Sequence, residues 1–70
     1  MKMHKYETIA EDLTQKVKSG EIRGRFPSYR QLVEHYKCSS RTIDQVIELL
    51  KYDEIIFTKR GVGTFTKLGG

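Results

Sequence analysis

The segment from Pro27 to Thr42, PSYRQLVEHYKCSSRT, constrains the fold of this chain more than any other. Ser28 followed three positions later by Gln31 is a capping-box pattern, so a helix starts there. Tyr29, Leu32, Val33 and Tyr36 recur at helical spacing and give that helix its apolar face. Lys37-Cys38-Ser39 leaves room only for a tight turn, in which Cys38 fills a small buried position. Ser39 or Ser40 caps the next helix, which runs to about Tyr52. A rotation of about 100° per residue sorts that helix into two arcs. Ile43, Val46, Ile47 and Leu50 share the arc that faces a core, while Ser40, Arg41, Asp44, Gln45 and Glu48 share the opposite one.

The flanking segments complete an architecture. Tyr6, Ile9, Ala10, Leu13 and Val17 fall at helical spacing over residues 5–18, and Ser19-Gly20 stops that first helix. The loop from there to Phe26 reads as basic and irregular. Ile55, Ile56 and Phe57 read as a strand, Lys59 to Val62 as a turn, and Gly63 to Thr66 as the return strand; the alternative for this segment is a type I′-like hairpin that merely carries solvated charges. The expected fold is mainly α with a small β-hairpin: a winged helix-turn-helix of three helices plus a two-stranded wing. The helix-turn-helix spans about 28–51 and the wing about 55–66, in a single domain over residues 1–70. Leu68-Gly69-Gly70 reads as the start of a linker.

Charge points in the same direction. The net charge is +4, but residues 5–18 are neutral and the stretch from Val46 to Ile56 is acidic. Five basic residues against two acidic ones lie between Arg23 and Asp44, and three basic residues with no acid between Phe57 and Lys67. Positive charge therefore gathers on the helix-turn-helix and the wing, the electrostatic footprint of phosphate binding. No apolar run approaches the roughly 20 residues that span a bilayer. The N-terminal MKMHKYETIAEDL carries charges where a signal peptide has an apolar stretch, and one cysteine excludes an internal disulfide, so a cytoplasmic location is expected.

Catalytic chemistry finds no support. His4 and His35 have no second ligand at metal spacing, and no nucleophile–base set can be assembled. Gly61-Val62-Gly63 precedes a strand rather than a helix, so it is not a nucleotide-cradling loop. An enzyme, a metal site and a cofactor are not expected. The residues that form a coherent set are those suited to double-stranded DNA. Ser28, at a helix N-terminus, can offer donors to a phosphate. Arg30 can pair with a phosphate or base edge, or with Glu34 four residues on. Ser39, Ser40 and Thr42 can donate hydroxyls to phosphates. Arg41 can grip guanine, Gln45 can pair with adenine, and Asp44 can accept from a cytosine amino group or repel phosphate. Lys59 and Arg60 flank a tip whose glycines, Gly61 and Gly63, allow close approach to the minor groove.

SGEI, then FPSYRQLVEHYKCSSRTIDQVIELL, then RGVGTF resemble the N-terminal DNA-binding domain of the GntR family of bacterial transcription regulators, over Tyr6 to Thr66. The resemblance implies a winged helix-turn-helix that binds a palindromic operator as a homodimer. It also implies repression, and a small-molecule effector only if a C-terminal domain lies beyond this chain. By resemblance, Arg30 matches the family's arginine in PSxRxLA, Thr42 its recognition-helix threonine, and Gly61 and Gly63 its wing glycines. The chain departs from the pattern in having Ser40 before Arg41 where serine-arginine is usual, and Asp44 where a further arginine is usual. Length is the third expected departure, since no effector domain is read after the wing within these 70 residues. The alternative is a winged-helix protein-interaction module without specific DNA binding.

Overall fold

The computed structural model describes residues 4–67; the linker expected at 68–70 lies outside them. Helix α1 is Lys5–Lys18, α2 is Tyr29–Tyr36 and α3 is Ser40–Tyr52, followed by strands β1 (Ile56–Lys59) and β2 (Gly63–Thr66). Three helices with a two-stranded antiparallel sheet make the expected winged helix-turn-helix.

Local chemistry fixes each helix end. The His4 amide donates to Glu7 Oε1 at 3.0 Å at the start of α1. At its end Gly20 takes φ +86°, a left-handed conformation that suits glycine, and its amide reaches the Val17 carbonyl. The capping box of α2 is reciprocal: the Gln31 amide donates to Ser28 Oγ at 3.2 Å, and the Ser28 amide to Gln31 Oε1 at 3.0 Å. That helix ends at Lys37, left-handed at φ 51°. A non-glycine residue there costs roughly 1–2 kcal/mol, a penalty accepted so that the chain can turn sharply into α3. Ser39, not Ser40, caps α3, accepting from the Thr42 amide at 3.2 Å.

The core comprises Ile9, Ala10, Leu13 and Val17 of α1, Leu32 of α2, and Ile43, Val46, Ile47 and Leu50 of α3, closed by Phe26, Ile55 and Ile56. Each fully buried Leu or Ile contributes about 1.5–3 kcal/mol. Cys38, expected in a buried position, is only half-buried, packed against the edge of this cluster. Tyr29 departs from expectation: it occupies an apolar position by spacing yet is 42% exposed, so Leu32 alone of the four predicted residues is fully buried. It is the first residue of α2 and stays largely outside the core.

The wing pairs Ile56 with Thr66, Phe57 with Phe65, Thr58 with Thr64 and Lys59 with Gly63. The strand starts one residue later than the sequence predicts, because the Ile55 amide closes α3 by donating to Leu50 at 2.9 Å. The tip is the expected turn. Of the turn's two central residues, Arg60 and Gly61, only Gly61 has positive φ, at +78°, and the Val62 amide donates to the Lys59 carbonyl at 3.0 Å. That is a type II pattern rather than type I′, which needs both central residues left-handed. The loop before Phe26 is irregular only until Gly24, where it joins the wing. Arg25 bridges antiparallel to Phe65, the Phe26 amide donates to Thr64 at 2.8 Å and the Thr66 amide to Gly24 at 2.7 Å. Residues 24–26 thus line the free edge of β2 and tie the wing to the start of α2.

Candidate nucleic-acid interface

Three structural features supply the predicted residues. The first is the N-terminus of α2, where Ser28 is exposed and its hydroxyl is engaged in capping. The cap takes the Gln31 amide, and the start of the helix carries the positive end of its dipole. Arg30 projects beside it, its Nε 3.7 Å from Glu34 Oε2, with the two side chains 90% and 70% exposed. An ion pair so exposed holds its partners weakly, so the guanidinium stays available to a phosphate.

The second is the outer face of α3. Ser40, Arg41, Asp44, Gln45 and Glu48 are all exposed, as their arc predicts, while Ile43, Val46, Ile47 and Leu50 are buried. Ser39 and Thr42 share a hydroxyl–hydroxyl contact of 3.0 Å, so part of their hydrogen-bonding capacity is committed to the helix start. Arg41, Asp44, Gln45 and Glu48 border one shallow groove with Tyr6 and Tyr52. One guanidinium faces two carboxylates there, so the positive potential must come from the flanking elements. Burial first, then the Asp44 carboxylate and more weakly Glu48, push the Tyr29 phenol above its ordinary range.

The third is the wing. Lys59 and Arg60 are exposed at its tip, next to Gly61. Gly63 has φ +139° and lies against the Arg25 guanidinium, which comes within 3.5 Å of where a side chain at Gly63 would begin. Arg25 Nη2 also donates to the Val62 carbonyl at 3.4 Å. The wing and α2 meet across a groove lined by Arg25, Ser28, Tyr29, Ile47, Gly63 and Thr64. That groove joins two of the three features and touches α3 at Ile47. Arg25 and Tyr29 are the residues that sequence reading did not select. Arg25 entered it only as one basic residue among five, since nothing local announces its contact with a wing almost 40 residues away. Tyr29 was assigned to the core by its spacing.

Elsewhere the polar groups serve structure. Tyr36 donates its hydroxyl to Asp12 Oδ2 at 2.7 Å, and Lys16 Nζ lies 3.4 Å from the same oxygen. Lys67 Nζ reaches Glu54 Oε1 at 2.6 Å, pinning the end of the wing to the exit of α3. Among the described residues no cluster of three histidine, cysteine or acidic side chains is arranged to hold a metal. No helix among them is long and apolar enough to cross a membrane.

Solved structures share this arrangement. YydK from Bacillus subtilis, a possible transcriptional regulator, superimposes with a TM-score of 0.85 at 27% identity, over 97% of this chain and 31% of YydK. A GntR family transcriptional regulator from Listeria monocytogenes gives 0.85 at 25% identity, over 96% of this chain and 60% of that one. The DNA-binding domain of AraR, solved in complex with operator ORR3, gives 0.84 at 24% identity, over 94% of this chain and 82% of that one, and shows likeness of fold. The chain thus spans about a third of the length of YydK. No curated protein matches its sequence. The sequence model for bacterial regulatory proteins of the gntR family matches residues 5–66, nearly the whole chain, and the protein belongs to that family.

Proposed function

We propose that this chain binds double-stranded DNA sequence-specifically as the reading head of a transcription regulator. The α3 N-terminal half would lie in the major groove, with the wing at the adjacent groove. The observation that carries this reading is the exposed polar outer arc of α3, in a chain that also presents the α2 N-terminus and a basic wing and belongs to a family of bacterial regulators. The operator complexes of AraR, whose domain has the same fold, support it. In this reading Ser28, Arg30, Ser39, Ser40 and Thr42 hold phosphates. Arg41, Asp44 and Gln45 face base edges, and Lys59, Arg60, Gly61 and Gly63 follow the sugar-phosphate wall. The protein acts in the cytoplasm, as a homodimer on a palindromic operator, and represses by occupying it. An effector enters only through a further domain, as the greater length of YydK allows.

The test is selection of duplexes from a random pool by fluorescence anisotropy at rising salt. Recovery of a palindrome or half-site supports the proposal; retention that fades uniformly with salt reduces the interaction to backbone electrostatics and overturns it. The two carboxylates on the α3 face favour a second reading, a protein-interaction module. Arg41→Glu separates the two: it abolishes binding to the selected duplex if α3 reads DNA, and leaves a protein partner's binding little changed otherwise.

A further inference from the structure

The outer face of α3 is poorly placed to attract a polyanion, since one guanidinium stands there among two carboxylates. The groove between the start of α2 and the wing differs. Arg25, Ser28, Tyr29, Gly63 and Thr64 line it with Ile47 of α3 alongside, and Arg25 is the one charged residue of its lining. Backbone bonds hold Arg25 from both sides: the Thr66 amide donates to the Gly24 carbonyl at 2.7 Å, and the Phe26 amide to the Thr64 carbonyl at 2.8 Å. Its side chain is placed as well. Nη2 donates to the Val62 carbonyl at 3.4 Å. Nη2 and Nε lie 3.5 and 3.7 Å from where a side chain at Gly63 would begin, both nearer than Cζ. The guanidinium thus turns its Nε–Nη2 edge toward the wing backbone.

That orientation leaves Nη1, with its two N–H donors, outside the contact. The side chain is exposed, and among the described residues no carboxylate pairs with it. An unneutralised guanidinium fixed along one edge keeps the donor fork that arginine presents to a phosphate. Because the wing already restrains the long side chain, less freedom is lost when an anion binds. Building on the DNA-binding proposal, we infer that Arg25 grips a backbone phosphate of the duplex in the groove between α2 and the wing. The contact sets the position of the wing on the duplex and carries no base preference.

The experiment follows fluorescence anisotropy of the wild type, Arg25→Gln and Arg25→Lys on the selected duplex and on random duplex, from low to high salt. Denaturant unfolding checks the fold, which should be kept because backbone bonds hold residues 24–26. Each phosphate neutralised releases counterions, so losing one contact lowers the slope of log affinity against log salt by about 0.9 per bound chain. Arg25→Gln is expected to show that fall and to weaken binding to both duplexes alike, by roughly tenfold at low salt. Arg25→Lys, which keeps the charge, should hold the slope of the wild type. An unchanged slope in Arg25→Gln, whether or not affinity drops, overturns the inference, because a guanidinium that only braces the wing meets no phosphate. The DNA-binding proposal then stands on its other residues. A loss confined to the selected duplex overturns the inference too, since a phosphate contact reads no base. A wild type that binds neither duplex at low salt overturns the DNA-binding proposal, and this inference with it.

Discussion

Arg30 and Asp44 illustrate how little formal charge says without surroundings. Arg30 carries the sign expected at a phosphate, yet in the free protein it faces Glu34 across 3.7 Å. Because both side chains are largely exposed, exchanging that partner for a phosphate loses very little. Asp44 carries the wrong sign, and its long-range effect is separable from its reading of a base. On random duplexes no cytosine waits at a fixed position, so only repulsion from phosphates remains. Asp44→Asn should therefore raise affinity for random duplex at low salt by a few-fold, on the order of 1 kcal/mol or less for an exposed charge. The gain should shrink as salt screens it. Equal affinities of the two proteins at low salt would mean that Asp44 does not face the phosphates, and that the proposed orientation of α3 is wrong.

At the scale of elements, the α2 N-terminus carries two duties on one residue. Ser28 caps the helix and, in the proposed function, sits against a phosphate. Ser28→Ala should lower unfolding stability by about 1 kcal/mol through loss of the cap and weaken DNA binding as well, so by itself it says little. Ser28→Asp separates the duties, because aspartate caps as well as serine but brings negative charge to the phosphate. It should match the wild type in denaturant unfolding while binding DNA more weakly than Ser28→Ala; wild-type affinity in this variant would remove α2 from the interface. The same elements mark what a sequence can disclose. All three helices were legible because capping and apolar spacing are local signals, complete within the four-residue reach of a helix turn. The wing glycines were legible for the same reason. The edge formed by residues 24–26 was not, since its partners, Thr64 to Thr66, lie some 40 residues on and RGRF shows no alternation. Arg25 was missed along with it. Tyr29 misled because spacing predicts which side of a helix a residue occupies, not how deeply the first residue of that helix is covered. The candidate site was thus readable as a set of residues on α2, α3 and the wing, while the groove that joins α2 to the wing was not.

For the whole molecule, binding depends on α2 keeping its angle to the α1–α3 pair, since that angle sets the distance from Ser28 to the wing. Within α2 only Leu32 is fully buried, so polar contacts carry part of the docking. The principal one is the Tyr36–Asp12 hydrogen bond, with Lys16 alongside. Both partners titrate differently once folded. The Tyr36 hydroxyl, and less strongly Lys16, hold the Asp12 carboxyl below its ordinary value. A depressed acid contributes stability above its unfolded pKa of about 4, and that contribution is lost as pH falls through the lower folded value. Burial, followed by the Asp12 carboxylate, pushes the Tyr36 phenol well above its ordinary value. A raised phenol contributes fully below its unfolded pKa of about 10, and its contribution declines as pH rises above that. The protein should therefore lose stability at both ends: in acid as Asp12 is protonated, and in alkali as the unfolded chain gains the ability to ionise Tyr36. Tyr36→Phe keeps the ring packed against the core but removes the hydroxyl. Thermal unfolding across pH should show this variant less stable near neutrality, with a shallower fall on both the acid and the alkaline limb. Parallel profiles for the two proteins, offset by a constant at every pH, would mean that the hydroxyl contributes packing alone and that α2 is held by Leu32 and its apolar neighbours.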